Sequence, residues 1–197
     1  MIHFKDETLS TNADDFVSIT VNEFNDETAG DFQQDVSKAH RTGQPVVPVR
    51  ISSHGGQVDA CMQMKSAIDR SEIPVLTYVP DRAYSAGFAL LAFGTDGYRF
   101  IAPTAFTMDH QAFYGAVGKD AEVENQVEFH RKYLDQFYEV LAEECGQPKD
   151  FFKNRWENLN NLNDYLTAEE TIDIGAADQV SQPRIEAEVK VEWNVIR

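Results

Sequence analysis

The chain has 197 residues, of which 42% are apolar and 25% are charged, values typical of one globular domain with a buried core. Its net charge of −16 repels phosphate backbones and anionic lipids, which argues against nucleic-acid and membrane partners. No apolar run reaches the ~18 residues needed to span a bilayer, and the N-terminus lacks the pattern of a secretory signal. Cys61 and Cys145 give neither metal-ligand spacing nor a disulfide framework, so we expect a cytoplasmic protein.

Strands and helices are predicted in alternation along the first half of the chain, after a short polar segment at residues 1–15. The apolar spacing predicts strands over 16–21, 46–51 and 75–79, and helices over 27–40 and 58–70. Pro48 is unusual within a buried strand, because proline removes one donor of the hydrogen-bond ladder.

The second half of the chain continues the alternation. Its elements are predicted over 86–93 (helix), 98–101 and 106–108 (strands), 123–141 (helix), from Thr167 (helix) and within 181–197 (strand). The first of these helices is apolar on every side, which predicts that it lies inside the protein. Together the elements predict a single α/β domain over residues 1–197 with a largely parallel sheet.

Two glycines follow the second predicted strand, in the run Ser53-His54-Gly55-Gly56. A glycine pair between a buried strand and a helix lets backbone N–H groups approach a bound group closely. A plain tight turn explains the same pair, so this junction alone leaves both interpretations open.

Ser85 stands where a strand meets the apolar helix. The start of a helix offers a positive dipole end and free backbone N–H groups, which an oxyanion hole requires. A serine at this position also serves as a helix cap, and the junction alone does not separate the two roles.

His110 follows the strand that is predicted over 106–108. Because strand ends of an α/β sheet converge at one rim, this histidine can face the same cleft as Ser85 and the glycine pair. A serine and a histidine at two strand ends, beside two glycines, describe acyl-transfer chemistry with serine as nucleophile and histidine as general base.

Four motifs follow one another in the chain: Ser-x-Gly-Gly, Ala-x-Ser-x-Gly, Met-x-His-Gln and Leu-Thr-Ala-Glu-Glu. In this order, over about residues 16–180, they resemble the Clp protease proteolytic-subunit family. The resemblance implies a crotonase-like α/β fold of stacked βαβ units with a long protruding helix. It also implies Ser85 as nucleophile, His110 as base, and the N–H groups of Gly56 and Ala86 as the oxyanion hole.

The resemblance further implies a serine endopeptidase that hydrolyses unfolded polypeptides inside a ring chamber, without a metal or an organic cofactor. Members form homo-oligomeric, seven-membered rings, usually stacked in pairs, and an AAA+ unfoldase feeds the chamber. The long helix and the preceding residues 115–118 look like the segment through which two rings meet.

Asn163 is the clearest departure from the family pattern. Counting back from the Leu-Thr-Ala-Glu-Glu motif, the aspartate of the family's triad falls on Asn163, which is directly followed by Asp164. A register shift of one residue would make Asp164 the third catalytic residue instead.

The family's charged Asp-Arg cluster is replaced at residues 157–161, so the sequence does not decide between a single ring and a double ring. His54 replaces a proline of the family, either as a turn residue or as a substrate-facing group.

Two other functions compete with an active peptidase. A catalytically weak or silent subunit with a structural role in rings would explain Asn163, whereas Ser85 and His110 oppose that reading. A crotonase-type acyl-CoA enzyme shares the fold and the oxyanion hole but does not need the serine and the histidine together.

Overall fold

The computed structural model describes residues 16–160 and 162–185. Within these ranges the strands are β1 (Ile19–Val21), β2 (Val47–Ile51), β3 (Val75–Val79), β4 (Arg82–Tyr84), β5 (Arg99–Ile101), β6 (Phe106–Asp109), β7 (Asp164–Leu166) and β8 (Gln179–Val180). The helices are α1 (Asp26–Thr42), α2 (Val58–Asp69), α3 (Ala86–Ala92), α4 (Asp120–Glu144), α5 (Phe151–Asn158) and α6 (Ala168–Asp173). The predicted polar segment at 1–15 and nearly all of the predicted C-terminal strand lie outside the described residues.

The larger sheet has the strand order β1-β2-β3-β5-β8, and every pair in it is parallel. This arrangement confirms the predicted α/β class with a largely parallel sheet. Pro48 fits inside the sheet because pairing between β2 and β1 begins only at Val49. The proline therefore stands beyond the end of the ladder in which its missing N–H would be needed.

The helices bury the faces that the apolar spacing predicts. A capping box of Asn25 and Thr28 begins α1, which buries Phe32 and Val36 in the core. Every residue of α3 is buried, as expected for a helix that is apolar on all sides. The predicted capping box at Thr167 is present and starts α6.

The smaller sheet has the order β4-β6-β7, with β4 and β6 parallel and β7 antiparallel to β6. A bridge between Ser53 and Ala83 joins it to the segment that follows β2. Ser85 directly follows β4 and His110 directly follows β6. The two residues therefore stand at the ends of two neighbouring strands.

The long helix α4 has 25 residues and confirms the predicted long helix. Its buried side chains belong to its second half, where they include Leu134, Phe137 and Leu141, while its first half is largely exposed. Within the described part of the chain, no helix is both long enough and apolar enough to cross a membrane. α5, which follows α4, was not predicted.

Candidate active site

Ser85 occupies a sharp turn between β4 and α3. Its backbone angles are φ 56° and ψ −120°, a conformation that residues with a side chain rarely adopt. Its N–H donates a hydrogen bond of 2.7 Å to the carbonyl of Met108 on β6, which helps to hold the turn. A serine on such a strand-to-helix turn presents its hydroxyl away from the backbone, as nucleophilic serines of α/β hydrolytic enzymes do.

Gly55 packs directly against this turn. It has φ +103°, and a Cβ atom at this position would lie 2.7 Å from Ser85 Cβ and 3.2 Å from Ser85 Oγ. A side chain would therefore clash with the serine and strain the backbone. The glycine pair thus brings bare backbone against the Ser85 hydroxyl.

The two predicted oxyanion-hole residues are chain neighbours of the serine turn: Gly56 follows Gly55, which packs against Ser85, and Ala86 follows Ser85 itself. Gly56 is bridged to Phe24, and Ala86 is the first residue of α3. Among the described residues, neither the N–H of Gly56 nor that of Ala86 donates a hydrogen bond to another protein group. Both groups are therefore free to donate to an oxyanion, provided that its position lies within about 2.7–3.1 Å of them.

His110 lies beside the serine, with Nε2 2.9 Å from Ser85 Oγ. This distance is that of a hydrogen bond and suits transfer of the hydroxyl proton to the ring. Partial burial of the imidazole lowers its pKa below the ordinary value, because burial disfavours the charged form. The ring is therefore neutral at neutral pH, which is the state that a general base requires.

Asn163 lies just before β7, one residue beyond the end of the pairing between β6 and β7. In this antiparallel pair Asp109 stands opposite Asp164, so a continuation of the same register by one residue would set His110 against Asn163. The Asn163 side chain is exposed, and its Nδ2 donates to Tyr165 Oη at 3.5 Å. No hydrogen bond joins Asn163 to His110 within the described residues, so the third catalytic position stays a prediction.

Asp164 turns away from the imidazole. Successive side chains of a strand alternate between the two faces of a sheet, so Asp164 lies on the face opposite to Asn163. Its carboxylate is buried and forms an ion pair with Arg155 on α5. These contacts disfavour Asp164 as the partner of His110.

Asp109 is a buried carboxyl group that the sequence motifs did not single out. Its Oδ2 accepts a hydrogen bond of 2.8 Å from Trp156 Nε1 on α5. Burial raises the pKa of Asp109 to about 8, although Trp156 and the backbone N–H of His110 oppose the shift. The alternation of side chains along the strand, which points Asp109 inward, is the signal that could have identified this residue. Nothing in the sequence pointed to Trp156.

His54 lies in a short aromatic row beside the serine turn. Its ring packs edge-on against Tyr84 at 5.6 Å, and Tyr84 packs in the same way against Tyr165 at 5.8 Å. His54 itself is exposed. The contact with Tyr84 holds the His54 ring in place. It does not decide whether His54 is a plain turn residue or a substrate-facing group.

A family model described as Clp protease matches residues 12–184 of the 197 in the chain. The chain belongs to the Clp protease family. This membership confirms the resemblance carried by the four motifs and supports a peptidase. The matched range of the Clp protease family contains all five residues considered above as the candidate site: Gly56, Ser85, Ala86, His110 and Asn163.

Proposed function

We propose that this member of the Clp protease family is a serine endopeptidase with Ser85 as nucleophile and His110 as general base. The observation that carries the proposal is the 2.9 Å contact between Ser85 Oγ and His110 Nε2. The strained backbone of Ser85 supports it, because strain of this kind concentrates at functional sites.

In the proposed reaction, Ser85 Oγ bonds to the carbonyl carbon of the scissile peptide while His110 Nε2 takes the hydroxyl proton. The electron pair of the C=O double bond moves onto oxygen, where the N–H groups of Gly56 and Ala86 stabilise the negative charge. When this intermediate collapses, the C–N bond breaks and His110 donates its proton to the leaving amine. A water molecule then repeats the sequence on the acyl-enzyme and releases the acid.

The substrates we propose are unfolded polypeptides, hydrolysed inside a chamber formed by a ring of identical subunits and supplied by an AAA+ unfoldase. Family membership supports this assembly, and so does the exposed first half of α4. Besides the water molecule that is consumed, the proposed chemistry uses only side chains and backbone groups of the chain.

A catalytically weak subunit is the second candidate, and Asn163 favours it. Asparagine carries no charge to stabilise the imidazolium that forms during attack. Asn163 is exposed and bonds to Tyr165. Among the hydrogen bonds of the described residues, no carboxylate contacts the His110 imidazole. In that case the residual activity would still depend on Ser85.

Hydrolysis of a fluorogenic peptide by matched variants tests the proposal. We expect Ser85→Ala and His110→Ala each to abolish hydrolysis without changing the circular dichroism spectrum. Ser37→Ala and His40→Ala, which alter exposed residues of α1, serve as controls and should leave the rate unchanged. Hydrolysis that persists in folded Ser85→Ala would reject the assignment, and a folded wild type without any hydrolysis would favour the weak-subunit alternative.

A further inference from the structure

The segment that carries His110 is held on both sides of the histidine by two buried aromatic side chains. Before His110, Trp156 Nε1 donates a 2.8 Å hydrogen bond to Asp109 Oδ2. After it, the backbone N–H of Ala112 donates a 2.6 Å hydrogen bond to Tyr138 Oη. Tyr138 and Trp156, here called the aromatic clamp, therefore anchor the chain one residue before and two residues after the imidazole.

The aromatic clamp is a single packed unit. The rings of Tyr138 on α4 and Trp156 on α5 meet edge to face, with centroids 4.6 Å apart. Tyr138 is 4% exposed and Trp156 is 2% exposed, so neither ring has room to move independently. Phe137 and Phe152 pack against the same pair from the two helices. The two anchors of the His110 segment are thus fixed relative to each other.

We propose that Tyr138 and Trp156 are positioning residues for His110, which keep its imidazole within hydrogen-bond reach of Ser85. Their hydrogen bonds go to residues 109 and 112 and not to the imidazole, so they act through the backbone that carries it. A displacement of about 1 Å would lengthen the contact between Ser85 and His110 beyond a useful hydrogen bond. The inference rests on the proposed function, since it takes His110 as the base.

The protonation state of Asp109 sets the strength of the hydrogen bond that Trp156 donates to it. The carboxyl group of Asp109 is buried, and burial raises its pKa to about 8, whereas the indole N–H favours its ionised form. With this pKa the carboxyl group is mostly neutral at neutral pH, and the hydrogen bond from Trp156 becomes charge-assisted only as the pH rises through about 8. The other titratable groups that act on Asp109, or on which it acts, are Asp164 on β7, Arg155 on α5, Tyr138 on α4 and Cys145 at the end of α4.

Two conservative substitutions release the clamp at one anchor each. Tyr138→Phe removes the acceptor of the Ala112 N–H and keeps the ring, and Trp156→Phe removes the donor to Asp109. Tyr133→Phe is the matched control, because it also removes a tyrosine hydroxyl from α4. That hydroxyl interacts with Asp59 on α2 and not with the His110 segment. Tyr138→Phe is the milder of the two variants, so the test survives if Trp156→Phe does not fold.

Two readouts are measured on the full-length protein. In peptide hydrolysis we expect Tyr138→Phe and Trp156→Phe to lower kcat on the order of tenfold to a hundredfold, with KM nearly unchanged, because the base and not the substrate site has moved. In NMR titrations with labelled histidine, the His110 signal is identified by its loss in His110→Gln. Its pKa should rise toward the ordinary value in both variants, because a displaced imidazole gains solvent.

The control and the wild type separate the possible outcomes. Tyr133→Phe should match the wild type in both readouts. An unchanged kcat together with an unchanged His110 titration in folded Tyr138→Phe would overturn the proposal. If the wild type hydrolyses no peptide, the proposed function fails, and the titration of His110 still decides whether the clamp positions the ring.

Discussion

At the residue scale, the candidate site depends on a serine whose backbone is strained and a histidine whose charge is suppressed. The φ of 56° at Ser85 costs about 1–3 kcal/mol, which the surrounding structure must offset. Partial burial lowers the pKa of His110 and keeps the ring neutral. Ser85 Oγ and His110 Nε2 lie 2.9 Å apart. The shift in the His110 pKa is due to burial and not to a neighbouring carboxylate.

The substitution Asn163→Asp tests the third catalytic position. A carboxylate opposite His110 would stabilise the imidazolium, so we expect kcat to rise several-fold or more. It would also raise the pKa of His110. Because the reaction needs the neutral ring, the acidic limb of the pH–rate profile should move to higher pH than in the wild type. Peptide hydrolysis measured as a function of pH checks both expectations.

Asp164→Asn is the matched variant for this prediction. The Asp164 carboxylate pairs with Arg155, so the substitution should lower the free energy of unfolding. We expect kcat to change little. If folded Asp164→Asn is silent while Asn163→Asp changes nothing, Asp164 is the partner of His110 and our register is wrong by one residue.

At the element scale, the site forms where two strand-to-helix junctions press together. The turn between β2 and α2 supplies Gly55 and Gly56, and the turn between β4 and α3 supplies Ser85. The bridge between Ser53 and Ala83 holds the two junctions in contact. Their close approach leaves no room for a side chain at Gly55.

Gly55→Ala should therefore disable the site. We expect a loss of about 1–3 kcal/mol in the free energy of unfolding, from backbone strain at φ +103°, together with a large loss of hydrolysis. Gly30→Ala is the control, because this α1 position has open space and alanine there should stabilise the helix by roughly 0.5–1 kcal/mol. Urea denaturation and peptide hydrolysis measure the two effects. A Gly55→Ala variant with wild-type activity would contradict the described packing.

Sequence patterns predicted the elements whose signal is local. β2, β3 and α3 are apolar runs, and the positions of Ser85 just before α3 and of His110 just after β6 are enough to predict that the two share one site. Three-residue strands such as β4 and β7 carry too little periodicity to be recognised. The conformation of Ser85 and the contact of Asp109 with Trp156 depend on pairing between distant segments, which no local pattern records.

At the scale of the whole molecule, exposed apolar side chains cluster around the start of α4. Phe113 is 90% exposed, Val117 is 91% exposed and Phe129 is 61% exposed. Exposed apolar groups of this size are typical of interaction surfaces. Val117 and Phe129 lie in the segment that the family resemblance associates with contacts between rings, residues 115–118 and the long helix, and Phe113 lies two residues before it.

Mass measurement in solution tests assembly. We expect a species of seven or fourteen subunits, whose fraction grows with salt because salt screens the repulsion between subunits of charge −16. The double variant Phe113→Ser, Val117→Ser should shift the distribution toward single rings or smaller species. Tyr98→Ser, at another exposed aromatic residue, is the control. A protein that stays strictly monomeric at micromolar concentration would contradict the proposed ring.

The central claim is that Ser85 becomes covalently acylated during the reaction. Treatment with a fluorophosphonate, followed by peptide mapping in a mass spectrometer, tests this claim most directly. We predict one adduct, on Ser85, which is absent from folded Ser85→Ala and strongly reduced in His110→Ala. An adduct on a different serine, or labelling that persists in Ser85→Ala, would contradict it.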